Sequence, residues 1–167
     1  DPEFADAYYN RGLTHIALRQ FQRALLDFGE AVRLNPQDAE AYNGRGIARR
    51  EMGSVYLALA DYDKAIGIDA RVDRFYNNRG FSYAEMGQFQ RAIEDYDEAL
   101  RLNPSNRGAA ANRARAYASL RDGQQGVVQE KLPLVEEAIG DHDAAVRLDP
   151  ENPSVYLDRG SAYFGLG

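Results

Sequence analysis

Cysteine and tryptophan are missing from this chain of 167 residues, and histidine and methionine occur twice each. Without cysteine there is no disulfide, no thiol nucleophile and no thiolate metal site, and the fold is equally viable in reducing and oxidising surroundings. Charge of one sign is scarce as well. The 20 Lys and Arg stand against 26 Asp and Glu, a formal net charge of -6, with both signs interspersed. No basic face is left to neutralise a phosphate backbone, so nucleic acid is not expected as a partner. No apolar run approaches the roughly 18 residues of a membrane span, and no glycine-rich loop could cradle a phosphate. What is present is 44% hydrophobic residues, enough for a buried core.

The second positive feature is a period. Gly12, Gly46 and Gly80 lie 34 residues apart, and so do Ala24, Ala58 and Ala92, then Phe28, Tyr62 and Tyr96, then Ala31, Ala65 and Ala99. Counting each unit from Ala5, Ala39 and Asp73, the shared places are an aromatic at 4, Arg at 7, Gly at 8, Ala at 20, Asp at 23, an aromatic at 24 and Ala at 27. Places 4, 8 and 11 fall on one stripe of a helix, and places 20, 24 and 27 on one stripe of the next. Small residues on those stripes let backbones approach closely, with the aromatics filling the space beside them. Helices of about 14 residues are marginal alone, so each pair must bury its stripe against the next pair.

These columns resemble the tetratricopeptide repeat, whose unit of 34 residues is two antiparallel helices. The resemblance implies an all-α fold, a right-handed α-solenoid of helix-turn-helix repeats. Two places depart from the family pattern: Arg replaces an apolar residue at place 7, and Ala70 replaces the closing Pro seen at Pro36 and Pro104. The expected organisation is one array over 1–167, with the tail of a preceding repeat at 1–4 and repeats at 5–38, 39–72 and 73–106. A fourth repeat at 107–152 carries an insertion near 122–133, and the first helix of a fifth covers 153–167. The insertion reads as a tolerated surface loop. Opening on a repeat tail and ending on a single helix, the chain reads as a slice of a longer array, and its uncapped ends predict end-to-end association of copies.

Nothing in the residues assembles an active site. His15 and His142 each occupy an aromatic column and read as packing residues, so no catalytic residue, metal or cofactor is expected. The repeated Arg11, Arg45, Arg79, Arg113 and Arg159 at place 7, with Asp27, Asp61, Asp95 and Asp141 at place 23, predict an Arg–Asp ladder along the helix seams.

The opposite face of the first helix, places 2, 6, 9 and 13 with 5 and 12 beside them, is the one that lines the concave peptide-binding surface in the family, and the resemblance implies the same here. Asn10, Asn78 and Asn112 stand at place 6, and Asn43 and Asn77 at place 5. Leu13, Ile47, Phe81 and Arg115 stand at place 9, and Arg74 at place 2. Asparagine is a mediocre helix former, so its concentration on one face asks for a reason. Its amide donates and accepts, which suits it to gripping an extended backbone. Glu40, Glu51 and Glu85 would favour a ligand with some positive charge.

Family members that clamp the C-terminal carboxylate of chaperones carry Lys at place 5 and Asn at 9 of one unit, Asn at 6 of the next, then Lys at 2 and Arg at 6. Here those places read Tyr9, Leu13, Gly44, Arg74 and Asn78, or, one unit on, Asn43, Ile47, Asn78, Gly108 and Asn112, so the clamp is absent. The expected function is a protein–protein interaction module, an adaptor or scaffold binding a peptide segment of a partner in its groove. A self-assembling structural scaffold and the substrate-recruiting arm of an enzyme whose catalytic domain lies outside this chain are the alternatives. The repeat style is similar to that of bacterial repeats, which favours a soluble protein of a bacterial cytoplasm over a periplasm.

Overall fold

The computed structural model describes residues 2–121. The insertion at 122–133, the second helix of the fourth repeat with His142 and Asp141, and the fifth repeat with Arg159 lie outside the described residues. Six helices run in order, α1 (Pro2–Ala17), α2 (Phe21–Leu34), α3 (Ala39–Glu51), α4 (Val55–Ile68), α5 (Asp73–Glu85) and α6 (Phe89–Leu102). Residues 107–121 are also helical and form α7.

Local sequence sets each break. Within a helix pair, the second residue after the first helix takes a left-handed backbone: Arg19 (φ 56°), Gly53 (φ 79°) and Gly87 (φ 72°). The amides of Gln20, Ser54 and Gln88 then reach back to the carbonyls of His15, Arg49 and Tyr83, closing orphan helix carbonyls as a C-terminal cap should. Between pairs, a short acidic or amide side chain holds the turn. Asn35, Asp69 and Asn103 each accept a hydrogen bond from the amide two residues on, at Gln37, Arg71 and Ser105. This turn survives at Asp69–Ala70, so the closing proline is dispensable there. Asp38 also caps α3, accepting from the amides of Glu40 at 2.9 Å and Ala41 at 3.0 Å.

Helices α1 and α2, α3 and α4, and α5 and α6 pack as antiparallel pairs; α2 meets α3 and α4 meets α5, and α1, α3 and α5 touch one another in series. The second helices, α2, α4 and α6, do not touch one another. The first helices therefore form the closer, inner layer of this unit. The core follows the expected columns, with Ala24, Phe28, Ala31, Ala58, Tyr62, Ala65, Ala92, Tyr96 and Ala99 all buried.

In α1, α3 and α5 the expected stripe is buried only at place 8, Gly12, Gly46 and Gly80, while Tyr8, Tyr42 and Tyr76 at place 4 and His15, Arg49 and Tyr83 at place 11 are half-buried. Ala41 and Ala48, Phe75 and Ser82, Ala109 and Ala116 are buried as well. These are places 3 and 10. Helices α3 and α5 are each packed on two sides, by their own partner and by the preceding repeat, so their apolar arc is wider than one stripe.

Burial has a consequence at alkaline pH. Tyr96 has its phenol pushed up to about 12 chiefly by burial, and burial pushes Tyr62 up as well. A raised phenol pKa stabilises the fold below the unfolded value near 10, and that stability is lost as pH rises through the folded value. Part of the phenolate absorbance, that of Tyr62 and Tyr96, is expected to appear only as the helices unfold. A single phase near pH 10, with the helices intact, would contradict this burial.

Candidate functional site

The sequence motif aromatic-x-x-Arg-Gly makes its contacts sixteen residues further on. Arg11, Arg45 and Arg79 each grip both carboxylate oxygens of Asp27, Asp61 and Asp95, the Nη2 bonds measuring 2.6 Å in all three pairs. The neighbouring glycine lies on the aromatic ring that follows the Asp. A Cβ on Gly12, Gly46 or Gly80 would come within 2.9, 2.6 and 2.9 Å of Phe28, Tyr62 and Tyr96. The aromatic at place 4 carries the arginine stem, with guanidinium-to-ring distances of 5.2 Å for Arg11 on Tyr8, 5.2 Å for Arg45 on Tyr42 and 5.7 Å for Arg79 on Tyr76. The expected Arg–Asp ladder is present within each pair.

A second set of rungs joins successive repeats. Arg79 also donates to Asp63 at 2.7 Å, and Arg113 donates to Asp97. Two carboxylates hold the Arg79 guanidinium, and its pKa is raised, first by the Asp95 hydrogen bond. The corresponding place in the first repeat is Gly29, where a Cβ would meet nothing, so Arg45 has no such rung. Arg49 joins Arg45 on Asp61 instead, at 2.8 Å.

The inner face of α1, α3, α5 and α7 carries the residues singled out for binding. Leu13 is 43% exposed, and Ile47 and Phe81 are half-buried. Asn10 and Arg115 are exposed, and Asn77, Asn78 and Asn112 are half-buried. Asn43 differs from the expectation of an open groove amide: it is only 6% exposed. Its Oδ1 accepts from Asn78 Nδ2 at 2.8 Å, and one repeat on, Asn77 Oδ1 accepts from Asn112 Nδ2 at 3.1 Å. The asparagines thus form cross-repeat pairs, place 6 donating to place 5 of the preceding unit, and part of their capacity belongs to the fold.

At the first joint these two places hold Tyr9 and Gly44. Gly44 is buried against Phe28, its would-be Cβ within 2.5 Å of the ring, with Tyr9 at a ring-centroid distance of 5.8 Å from Phe28. Its place on the outward stripe is therefore corrected to a packing role.

The charges of this face compensate one another. Glu40 accepts from Arg74. Arg50 bonds Glu51 and lies 3.9 Å from Glu85, and its guanidinium sits 4.7 Å from the centroid of the Phe81 ring. The three glutamates do not make the groove anionic. Arg50 was not among the expected site residues; its contact is in the next repeat, so no pattern inside one unit marks it.

The pairing makes Asn78 a structural as well as a surface residue. Asn78→Ala is expected to lower unfolding free energy by about 1–2 kcal/mol, the cost of leaving the buried Asn43 amide oxygen without its donor. Chemical denaturation checks this. A loss no larger than that of Asn10→Ala would show that the pair contributes nothing.

The tetratricopeptide repeat model matches residues 5–38 and 74–106. The chain carries tetratricopeptide repeats. Its described helices are all-α, and 268 solved chains match it significantly. The first tetratricopeptide domain of human RPAP3 is similar over 75% of this chain and 98% of its own, at 18% identity and a TM-score of 0.72. The Arabidopsis OM64 tetratricopeptide domain is 28% identical over 68% of this chain and 94% of its own, with a TM-score of 0.66. The first such domain of Spaghetti (RPAP3), bound to the HSP90 peptide SRMEEVD, is 18% identical over 72% of this chain and 96% of its own, with a TM-score of 0.70. No curated protein sequence matches the chain. Among the described residues no helix is long and apolar enough to cross a membrane, and no three acidic or histidine side chains converge as a metal site.

Proposed function

We propose that the repeats form a non-catalytic interaction module which holds an extended segment of a partner protein on the inner face of α1, α3, α5 and α7. The observation that carries this reading is the row Leu13, Ile47 and Phe81, incompletely covered apolar side chains at one place of three successive repeats, beside asparagines whose pairing uses one hydrogen bond of each amide. Each Asn side chain can make about four hydrogen bonds. Those left on the half-buried Asn77, Asn78 and Asn112 suit a peptide backbone, apart from Asn112 Oδ1, which accepts from Arg115, and the row at place 9 takes its apolar side chains.

A peptide-bound domain of the same fold supports a peptide as the class of ligand. It does not carry over a chaperone tail. Where the carboxylate clamp needs lysines, this chain has Tyr9 or Asn43 and Arg74 or Gly108, and Arg74 is engaged by Glu40. With the groove's charges compensated, the ligand favoured is an extended apolar-polar segment, read by its backbone and a few apolar side chains.

Selection from a random peptide library tests this. Enriched peptides are expected to share apolar residues at a fixed spacing and to bind Ile47→Ala/Phe81→Ala about tenfold or more weakly, as loss of two apolar contacts implies. Enriched peptides that bind this variant as well as the parent chain would place the site elsewhere.

A further inference from the structure

The turn between α1 and α2 differs from its two counterparts. Where α3–α4 and α5–α6 use Gly53 and Gly87 in the left-handed region, this turn uses Arg19 at φ 56°. That backbone is costly for an arginine and free of strain for a glycine. The side chain must therefore be sought as the reason for the residue. The Arg19 guanidinium lies 5.9 Å from the centroid of the Phe21 ring. Arg19, Phe21, Arg23 and Met52, with Gln20 and Gln22, line an open cleft of about 520 Å³. Leu18, immediately before Arg19, is 60% exposed, and Tyr56, just beyond the Met52 turn, is 76% exposed.

Most arginines of the unit meet carboxylates; Arg91 beside the α5–α6 turn is, like Arg23, bonded to a glutamine instead, Gln88 Oε1 at 3.1 Å. Arg11, Arg45, Arg49, Arg50, Arg74 and Arg79 all meet carboxylates. Among the described residues Arg19 and Arg23 form no ion pair, and Arg23 donates only to the neutral Gln20 Oε1, at 3.1 Å. Spaced i and i+4 and joined by an apolar floor, two such cations in a chain of net charge -6 are complementary to carboxylates presented beside a large apolar side chain.

We propose that this turn-edge cleft is a second binding site, separate from the inner groove, for a short acidic segment of a partner protein. Arg19 and Arg23 take its carboxylates, and Phe21 and Met52 take one Leu or Phe side chain. Arginine at the left-handed position is retained for this contact, and the two later turns, which have glycine there, lack the site.

The test uses the full chain and a panel of fluorescein-labelled hexapeptides made of Asp and Glu with a single Leu or Phe, read by fluorescence polarisation. Saturable binding is expected for part of the panel. Binding should weaken about tenfold or more when the acidic residues are replaced by Lys, and to the same degree in Arg19→Gly/Arg23→Gln. That variant should melt no lower than the parent chain, since glycine suits the turn. No saturable binding, or equal binding by the variant, overturns the proposal. So would binding of anionic phospholipid vesicles but of no peptide. A variant that loses only self-association in sedimentation would instead make the cleft a contact between copies.

Discussion

Asp61→Ala is expected to lower the free energy of unfolding by about 3 kcal/mol, at the lower end of what breaking a buried ion pair from one side costs. Asp61 is buried. Its Oδ1 accepts from Arg45 Nη2 at 2.6 Å and its Oδ2 from Arg49 Nη1 at 2.8 Å. Removing the carboxylate leaves two guanidiniums, both largely covered by neighbouring side chains, without an anion in a place where water restores little of the lost interaction. The matched comparison is Asp27→Ala. Its partner Arg11 is 61% exposed and can turn into solvent, so a distinctly smaller loss is expected there. Urea denaturation of both variants decides the matter. Equal losses would mean that the covering of the arginines is irrelevant and that the rungs act by geometry alone.

Gly44→Ala is expected to cost about 2 kcal/mol. The new Cβ would stand 2.5 Å from Phe28 Cε1, far inside contact distance. Phe28 is fully buried, and Gly12 lies against the same ring, its own would-be Cβ at 2.9 Å, so the ring has nowhere to retreat. Helix α3 must move away from α2, and overpacking of this kind costs about 1–3 kcal/mol. Alanine's better helix propensity offsets up to about 1 kcal/mol of it. Gly29→Ala isolates that offset, because a Cβ there meets nothing within 4 Å, and it is expected to be neutral or mildly stabilising. If Gly44→Ala matched Gly29→Ala in thermal and denaturant unfolding, the close approach at the first joint would be disproved.

The repeat period, the buried columns at Ala24, Phe28 and Ala31 and their later copies, and the Arg–Asp partnership were legible because each contact recurs at a fixed separation along the chain. Gly44 and Asn43 were misplaced on the outward side for the opposite reason. A helical wheel drawn from one apolar stripe describes a helix with one packing partner, whereas α3 is packed by both α4 and α2, and the second contact widens its buried arc. Asn43–Asn78 and Arg50–Phe81 are contacts between repeats. Nothing within a single unit signals them, since place 5 holds Tyr9 in one repeat and Asn43 in the next. Arg19 is the converse case. Its place in the turn is visible from the glycines at 53 and 87, yet the strain it accepts becomes visible only with its backbone angle.

The claim that fold and binding are divided between two faces of the same helices is tested most directly by following a library-selected peptide into the isotopically labelled chain by NMR. The expected shifts concentrate on Leu13, Ile47 and Phe81 and on the side-chain amides of Asn78 and Asn112, while the buried ring of Tyr62 and the outward residues of α2, α4 and α6 stay in place. Shifts confined to those outward residues, with the side chains of Leu13, Ile47 and Phe81 unmoved, would contradict the account and leave the inner face without the binding role assigned to it.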